Sequence, residues 1–313
     1  LSLKDTVTRR VIGAGLRLAF KLPSRLPLPP AVLREGMEQG ARLFRLHAGT
    51  QVTPVTLGGL PTERISPRHP GRHAILHVHG GAFFAGSPGT HRALGSELAA
   101  RSGAVVYMID YRLAPEHPWP AALEDALAAY RALLALGYLP REILLGGDSG
   151  GCAHILNLAI ALRDQGLPLP AGLFMISPFV DLTLSCPSVA AYRHRDPMVT
   201  AYALRRGADG YRGEMAADDP RVSPLFADLH GLPPVLIQAG AEEILRDDAL
   251  RLATRLTAAG TLAGCRLYPG MWHNFQMFNQ FLDVADQALD EIGVFVRGSV
   301  RQGQAATAQA EPA

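Results

Sequence analysis

The stretch "ILLGGDSGGCA", running from Ile143 to Ala153, decides how this chain is read. Its centre, Gly147-Asp148-Ser149-Gly150-Gly151, also matches the letters around the serine of chymotrypsin-type proteases. A serine between glycines reports by itself only a tight turn. The flanks are more telling. Ile143-Leu144-Leu145 is a short apolar strand, and a helical stretch begins near Cys152-Ala153. Strand, sharp turn and helix with Gly147-x-Ser149-x-Gly151 at the turn make a nucleophile elbow, in which glycines let the strand and helix backbones approach closely. The elbow also sets Ser149 at the positive end of a helix dipole, where developing negative charge is favoured. A chymotrypsin-type protease instead lies on β-barrels, with its histidine and aspartate ahead of the serine.

Upstream and downstream of the elbow the chain alternates short β-rich runs with helical stretches. Strands are expected at Val52–Leu57, Ala74–His79, Ala104–Ile109, Ile143–Leu145, Leu173–Ile176, Val235–Ala239 and Arg266–Tyr268, with helices such as Ala121–Leu136 and Ala153–Arg163 between them. This predicts an α/β fold with a mostly parallel central sheet flanked by helices. Two regions break the rhythm: residues 1–46, with a proline-rich "KLPSRLPLPP" joint, and an insertion at about 181–222. Both are expected to cap a catalytic domain spanning 47–302. Residues 303–313 have nothing to bury and are expected to form a disordered tail.

His79-Gly80-Gly81 follows the strand Ala74–Val78. The backbone N–H groups of Gly80 and Gly81, with that of Gly150 after the serine, are expected to form an oxyanion hole. A proton acceptor and a carboxylate should follow Ser149 in the order acid, then histidine. Glu242, Glu243 and Asp247 follow one strand, and His273 follows the next. His77 and His79 share a strand face, but no HxHxDH or HExxH pattern accompanies them, so no metal site is expected. His47, His69, His73, His91 and His230 read as surface or loop residues. Phe83, Phe84, Phe179, Met198 and Phe275 stand at or near motif ends and are expected to line an apolar substrate pocket, with core packing as the competing role.

Composition narrows the partners. A net charge of +2, from 30 basic and 28 acidic residues, and the lack of a basic run interleaved with aromatics argue against nucleic acid. Three cysteines without CxxC spacing argue against a disulfide framework or a zinc site and point to a reducing, cytoplasmic setting. Arg9-Arg10 precede an apolar stretch, yet Arg17 and Lys21 interrupt it, so it reads as a short amphipathic helix and not a signal. No segment reaches the roughly 18 apolar residues of a membrane span.

Taken together, "HGG" (79–81), "DYRLAPEHPWPAA" (110–122), "GDSGG" (147–151), "RDPMVT" (195–200), "SPLFADLHGLPPVLI" (223–237) and "HNFQMF" (273–278) resemble the hormone-sensitive-lipase-like, bacterial family IV carboxylesterases of the α/β-hydrolase fold. The resemblance spans about residues 47–300. It implies Ser149 as nucleophile, His273 as base and Gly80, Gly81 and Gly150 as oxyanion donors. It aligns Glu243 with the family's acid, usually an aspartate, and leaves Asp247 and Glu242 as rivals. Gly150 stands where the family commonly has alanine, and Ala82 where many relatives carry a third glycine. The implied activity is hydrolysis of short to medium acyl esters of small molecules through an acyl-enzyme, without a cofactor. Lactone hydrolysis and deacetylation of a small metabolite share the same machinery. A non-catalytic ligand-binding module of the same fold is the alternative from another class. Relatives also imply a homodimer, paired along the last strand.

Overall fold

The computed structural model describes residues 3–310. Residues 1–2 of the expected cap and 311–313 of the expected tail lie outside them. Eight strands form one sheet: β1 (Thr50–Leu57), β2 (Leu60–Pro67), β3 (Ala74–Val78), β4 (Val105–Ile109), β5 (Ile143–Asp148), β6 (Gly172–Ile176), β7 (Val235–Gly240) and β8 (Ala263–Tyr268). Their order is β1-β2-β4-β3-β5-β6-β7-β8. From β4 through β8 all neighbours run parallel, while β2 pairs antiparallel with both β1 and β4.

β2 was not expected from the sequence. Its "LPTERISP" has a proline near each end and two charges between them and reads as a loop. The missed signal is Gly58-Gly59, both at positive φ, a two-residue turn of the kind that closes hairpins; β1 and β2 pair from Leu57↔Leu60 outward.

The helices are α1 (Leu3–Leu16), α2 (Pro30–Ala41), α3 (Pro88–Ser102), α4 (Ala121–Ala135), α5 (Gly151–Asp164), α6 (Pro187–Ala191), α7 (Ala201–Arg212), α8 (Arg246–Ala258) and α9 (Asp283–Ala310). β3 to β6 are buried along their whole length, which explains their continuous apolar runs. Alternate side chains divide between two cores. Leu76, Tyr107 and Leu145 face a core shared with Ala126 and Leu133 of α4, Ile155 and Leu158 of α5, and Leu252 and Leu256 of α8. Ile75, Val106 and Leu144 face the other, with Leu94 and Leu98 of α3 and Ile292 and Val296 of α9. Because α9 continues to Ala310, the backbone is helical through most of the stretch expected to be a tail. That helix starts on buried Leu289, Ile292, Val296 and Val300, so its packing extends a regular backbone into a polar, alanine-rich sequence.

After α1 the chain makes a π-helical turn (Arg17–Lys21) and a 3₁₀ turn (Pro23–Arg25) before α2. This segment meets the insertion directly. Lys21 Nζ donates to the carbonyls of Arg193 and Asp196, and the hydroxyls of Ser24 and Thr200 lie 3.1 Å apart. Arg34 of α2 donates to the carbonyls of Phe84 and Ala114 and forks onto Glu116, joining α2 to the loop after β3 and to "YRLAPEHP". Both segments therefore lie over the C-terminal ends of the parallel strands, where open α/β sheets hold their ligands.

Candidate active site

Ser149 follows β5 directly and begins the turn into α5 with φ at +50°, a left-handed conformation that a side chain adopts only when its surroundings enforce it. Here its N–H donates to Ile176 O at 2.8 Å and its carbonyl accepts from Phe179 N–H at 3.1 Å. The helix can pass this close because of Gly151: a Cβ there would stand 2.0 Å from Val78 O.

His273 lies beyond β8 in the loop leading to a 3₁₀ turn (Phe275–Phe278), and its Nε2 is 3.0 Å from Ser149 Oγ. Its other nitrogen faces Glu243, with Nδ1 and Oε1 separated by 3.5 Å and no other partner for either atom among the described residues. The second oxygen of Glu243 is fixed, accepting from Gly240 N–H at 2.7 Å and from Ser177 Oγ at 2.8 Å. Ser177 Oγ in turn accepts the N–H of Asn274, so one hydroxyl ties the acid to the residue after the histidine. Burial alone would lower the pKa of His273, but the contact and charge of Glu243, with the charges of Asp196 and Asp148, outweigh it and hold it above the ordinary imidazole value.

The rival acids lie elsewhere. Asp247 accepts from Ser188 N–H and pairs with Arg246. Glu242 lines a separate pocket with Arg9, Arg10 and Arg195. The one-methylene longer Glu243 reaches His273 from the turn after β7. Asp196, from the insertion, braces this turn by accepting Ile244 N–H while its other oxygen accepts from Met198 and Val199.

The oxyanion assignment needs correction at Gly80. Its N–H donates to Asp148 Oδ1 at 3.1 Å and is not free for a ligand. The cavity is lined instead by Gly81 and Ala82, next to Ser149 and His273. Gly81 has φ at +123° and Ala82 at +49°, and neither they nor Gly150 donate to a backbone carbonyl among the described residues. Ala82, where the resemblance has a third glycine, is a cavity-lining position that the sequence does not single out.

Asp148 is the hub beneath this loop. It also takes Asn274 Nδ2 at 2.7 Å, His77 Nε2 at 3.3 Å and His91 Nε2 at 3.2 Å. His91, expected at the surface, is buried, because α3 turns it under the cavity floor. Its Nδ1 lies 2.7 Å from the Thr90 hydroxyl. Burial opposes charge on His91, but the charge and hydrogen bond of Asp148 outweigh it and raise its pKa, while Asp148, itself opposed by burial, is held well below the carboxylate range by His91 and His77.

A cavity of about 490 Å³ opens above Ser149. Phe84 and Met198 line it, as expected, whereas Phe83, Phe179 and Phe275 do not. The left-handed turn at Ala82-Phe83 folds Phe83 back into the core, stacked on Tyr211 at 4.3 Å and against Phe179 at 5.2 Å; Phe275 packs on Tyr268 at 4.9 Å. Most of the remaining wall comes from the N-terminal segment, including Phe20, Leu28, Leu33, Met37 and Phe44, with Met277 opposite.

One group among the described residues has the spacing of metal ligands: Asp181, Cys186 and Asp248, within 4.8 Å of one another. Its donors are already used. Asp248 accepts from Val180 and Asp181 N–H and from the Cys186 thiol, whose pKa burial pushes up to about 12, and Arg251 pairs with Asp181. The arginine supplies the positive charge that a cation would bring.

The chain is similar over most of its length to known hydrolases. Residues 75–277 match the α/β-hydrolase-fold family. An esterase of Acinetobacter venetianus is 42% identical over 281 residues, 90% of this chain and 93% of that protein. An acetyl-hydrolase of Streptomyces hygroscopicus is 40% identical, covering 80% of this chain and 83% of its own. Among solved structures, an esterase of the bacterial hormone-sensitive lipase family superposes with a TM-score of 0.89 at 36% identity, covering 96% and 99% of the two chains. The structure of EstE5, soaked with p-nitrophenyl butyrate, gives 0.90 at 35% identity, covering 96% and 100%.

Proposed function

Because the chain belongs to the hormone-sensitive-lipase-like esterases of the α/β-hydrolase fold, we propose that its carboxylester hydrolysis runs through Ser149, His273 and Glu243. The observation that carries this reading is the 3.0 Å approach of His273 Nε2 to Ser149 Oγ at a strained elbow. Neutral His273 accepts the serine proton as Oγ adds to the ester carbonyl. Negative charge develops on the carbonyl oxygen, where the N–H groups of Gly81, Ala82 and Gly150 are the available donors. Glu243 holds the Nδ1 proton and balances the imidazolium. Collapse expels the alcohol, which takes its proton from His273 and leaves an acyl-enzyme at Ser149. Water then adds by the same path and releases the acid.

The cavity volume and its apolar wall support esters with short to medium acyl chains. We assign the N-terminal segment and the 181–222 insertion the role of a shared cap. The unpaired cysteines Cys152, Cys186 and Cys265 support a cytoplasmic setting. Among the described residues β8 pairs only with β7 and is an edge that would suit a homodimer.

A serine-directed phosphonate tests the assignment. One equivalent should label the protein, and Ser149→Ala should abolish labelling. Reversible ligand binding without labelling would instead make the chain a binding module.

A further inference from the structure

The outer face of the N-terminal segment is apolar where a cap over a catalytic domain should be polar. On the inner side of α1 and the π-helical turn, Ile12, Leu16 and Phe20 pack with Met271, Trp272 and Phe275. On the opposite side, Val7, Val11, Leu18 and Leu22 are spaced four, seven and four residues apart and form a second stripe, each more than half exposed. A helix apolar on two faces is normally covered on both. Leu26, Val32, Leu43 and Leu46 extend the exposed surface, so that eight of the fifteen exposed large apolar side chains among the described residues fall between positions 7 and 46.

The charge on this segment says what covers it. Residues 1–46 hold nine basic and three acidic residues, a net +6 in a chain whose total is +2, so the remainder carries −4. Arg10, Arg17, Arg25, Arg42 and Arg45 are all exposed among the apolar side chains. An apolar stripe with arginines at its margins on a net cationic segment has the chemistry of an interfacial helix on anionic lipid. No helix among the described residues is long and apolar enough to cross a membrane, so the contact would be peripheral.

We infer that the outer face of residues 7–46 docks on the surface of an anionic lipid bilayer. Ala19 and Val32 of this segment are exposed and also line the cavity above Ser149, and Phe20 and Leu28 line it too. Docking therefore places the cavity mouth at the lipid surface, and the substrate class becomes amphiphilic esters that partition into that surface. This last step rests on the proposed hydrolysis; docking does not, because it is measured without turnover.

The test is flotation of the full chain with vesicles of phosphatidylcholine alone and of an equimolar phosphatidylcholine and phosphatidylglycerol mixture. The protein should float with the anionic vesicles only and be released at about 1 M salt, where charges are screened within about 3 Å. Val11→Asp with Leu18→Asp, and separately Arg10→Glu with Arg25→Glu, should weaken the association about tenfold or more. Both pairs should leave hydrolysis of a water-soluble short ester unchanged, which shows that the fold survives. Equal affinity for both vesicles, affinity for neither, or association unaffected by both pairs would overturn the inference. A concentration-dependent dimer dissolved by Val11→Asp with Leu18→Asp, without vesicle association, would overturn it in favour of a second copy on the stripe.

Discussion

The carboxylate of Asp148 accepts the N–H of Gly80 at 3.1 Å, so the residue before the proposed nucleophile anchors the first residue of the loop over it. The same carboxylate takes Asn274, the neighbour of His273. Serine, loop and base are thus referenced to one buried, charged group, and the oxyanion donors of the proposed mechanism lie one residue along the loop, at Gly81 and Ala82.

This placement makes Gly81 the sensitive position. A Cβ on Gly81 would stand 2.0 Å from Ala85 O at a φ of +123°, so Gly81→Ala must displace the loop. The expected result in steady-state kinetics is a fall in kcat of about 10²–10³ with little change in KM. Less than a threefold loss would show that the loop N–H groups do not hold the oxyanion.

Glu243→Gln should lower kcat by about 10³–10⁴, because the amide no longer balances the imidazolium or fixes its tautomer. Asp247→Asn should change kcat less than about threefold and cost about 1 kcal/mol of stability through its contact with Ser188 N–H. The reverse ranking would move the acid to Asp247. The pH profile adds a second readout. His273 must be neutral to act, and its pKa is raised in spite of burial through Glu243, so the acid limb of kcat/KM should lie above the ordinary imidazole value of about 6.5. Removing the charge in Glu243→Gln should shift that limb to lower pH.

Burial pushes the pKa of His79 and of His154 down to about 3, so both stay neutral in the folded chain while the unfolded chain protonates them at about 6.5. Stability from these groups is full above pH 6.5 and is lost as pH falls from there toward 3. Each adds a slope of about 1.4 kcal/mol per pH unit near pH 5. His91 and His273, whose values are raised, act in the opposite sense and lose their contribution as pH rises past their folded values. Urea unfolding at a series of pH values should show the acid-side slope falling by about one proton in His154→Leu. An unchanged slope would mean that His154 takes up a proton inside the fold.

Leu33 reaches the cavity wall from α2, away from the triad. Leu33→Trp should reduce kcat/KM for octanoate esters about tenfold or more relative to acetate, since the lost volume is felt only by the longer chain. An unchanged ratio would place the acyl chain elsewhere.

Local chemistry made the core of this account legible from sequence. The elbow needs glycines at fixed offsets around Ser149, buried parallel strands need unbroken apolar runs, and the order of serine, acid and histidine follows from the strand ends. What could not be read depends on the fold as a whole. Whether Phe83 or Phe84 faces the cavity turns on two residues at positive φ, of which neither is glycine. His91 is distant from Asp148 in the chain and meets it only when α3 packs beneath the loop. β2 looks like a loop because an edge-side hairpin tolerates prolines and charges that a central strand does not.

The most direct measurement is hydrolysis of p-nitrophenyl esters from acetate to palmitate by the wild type and by Ser149→Ala. Activity that peaks at short to medium chains and falls at least about 10³-fold in the variant is the expected result. Hydrolysis that persists in Ser149→Ala, or its absence across the whole series in a folded wild type, would contradict the account.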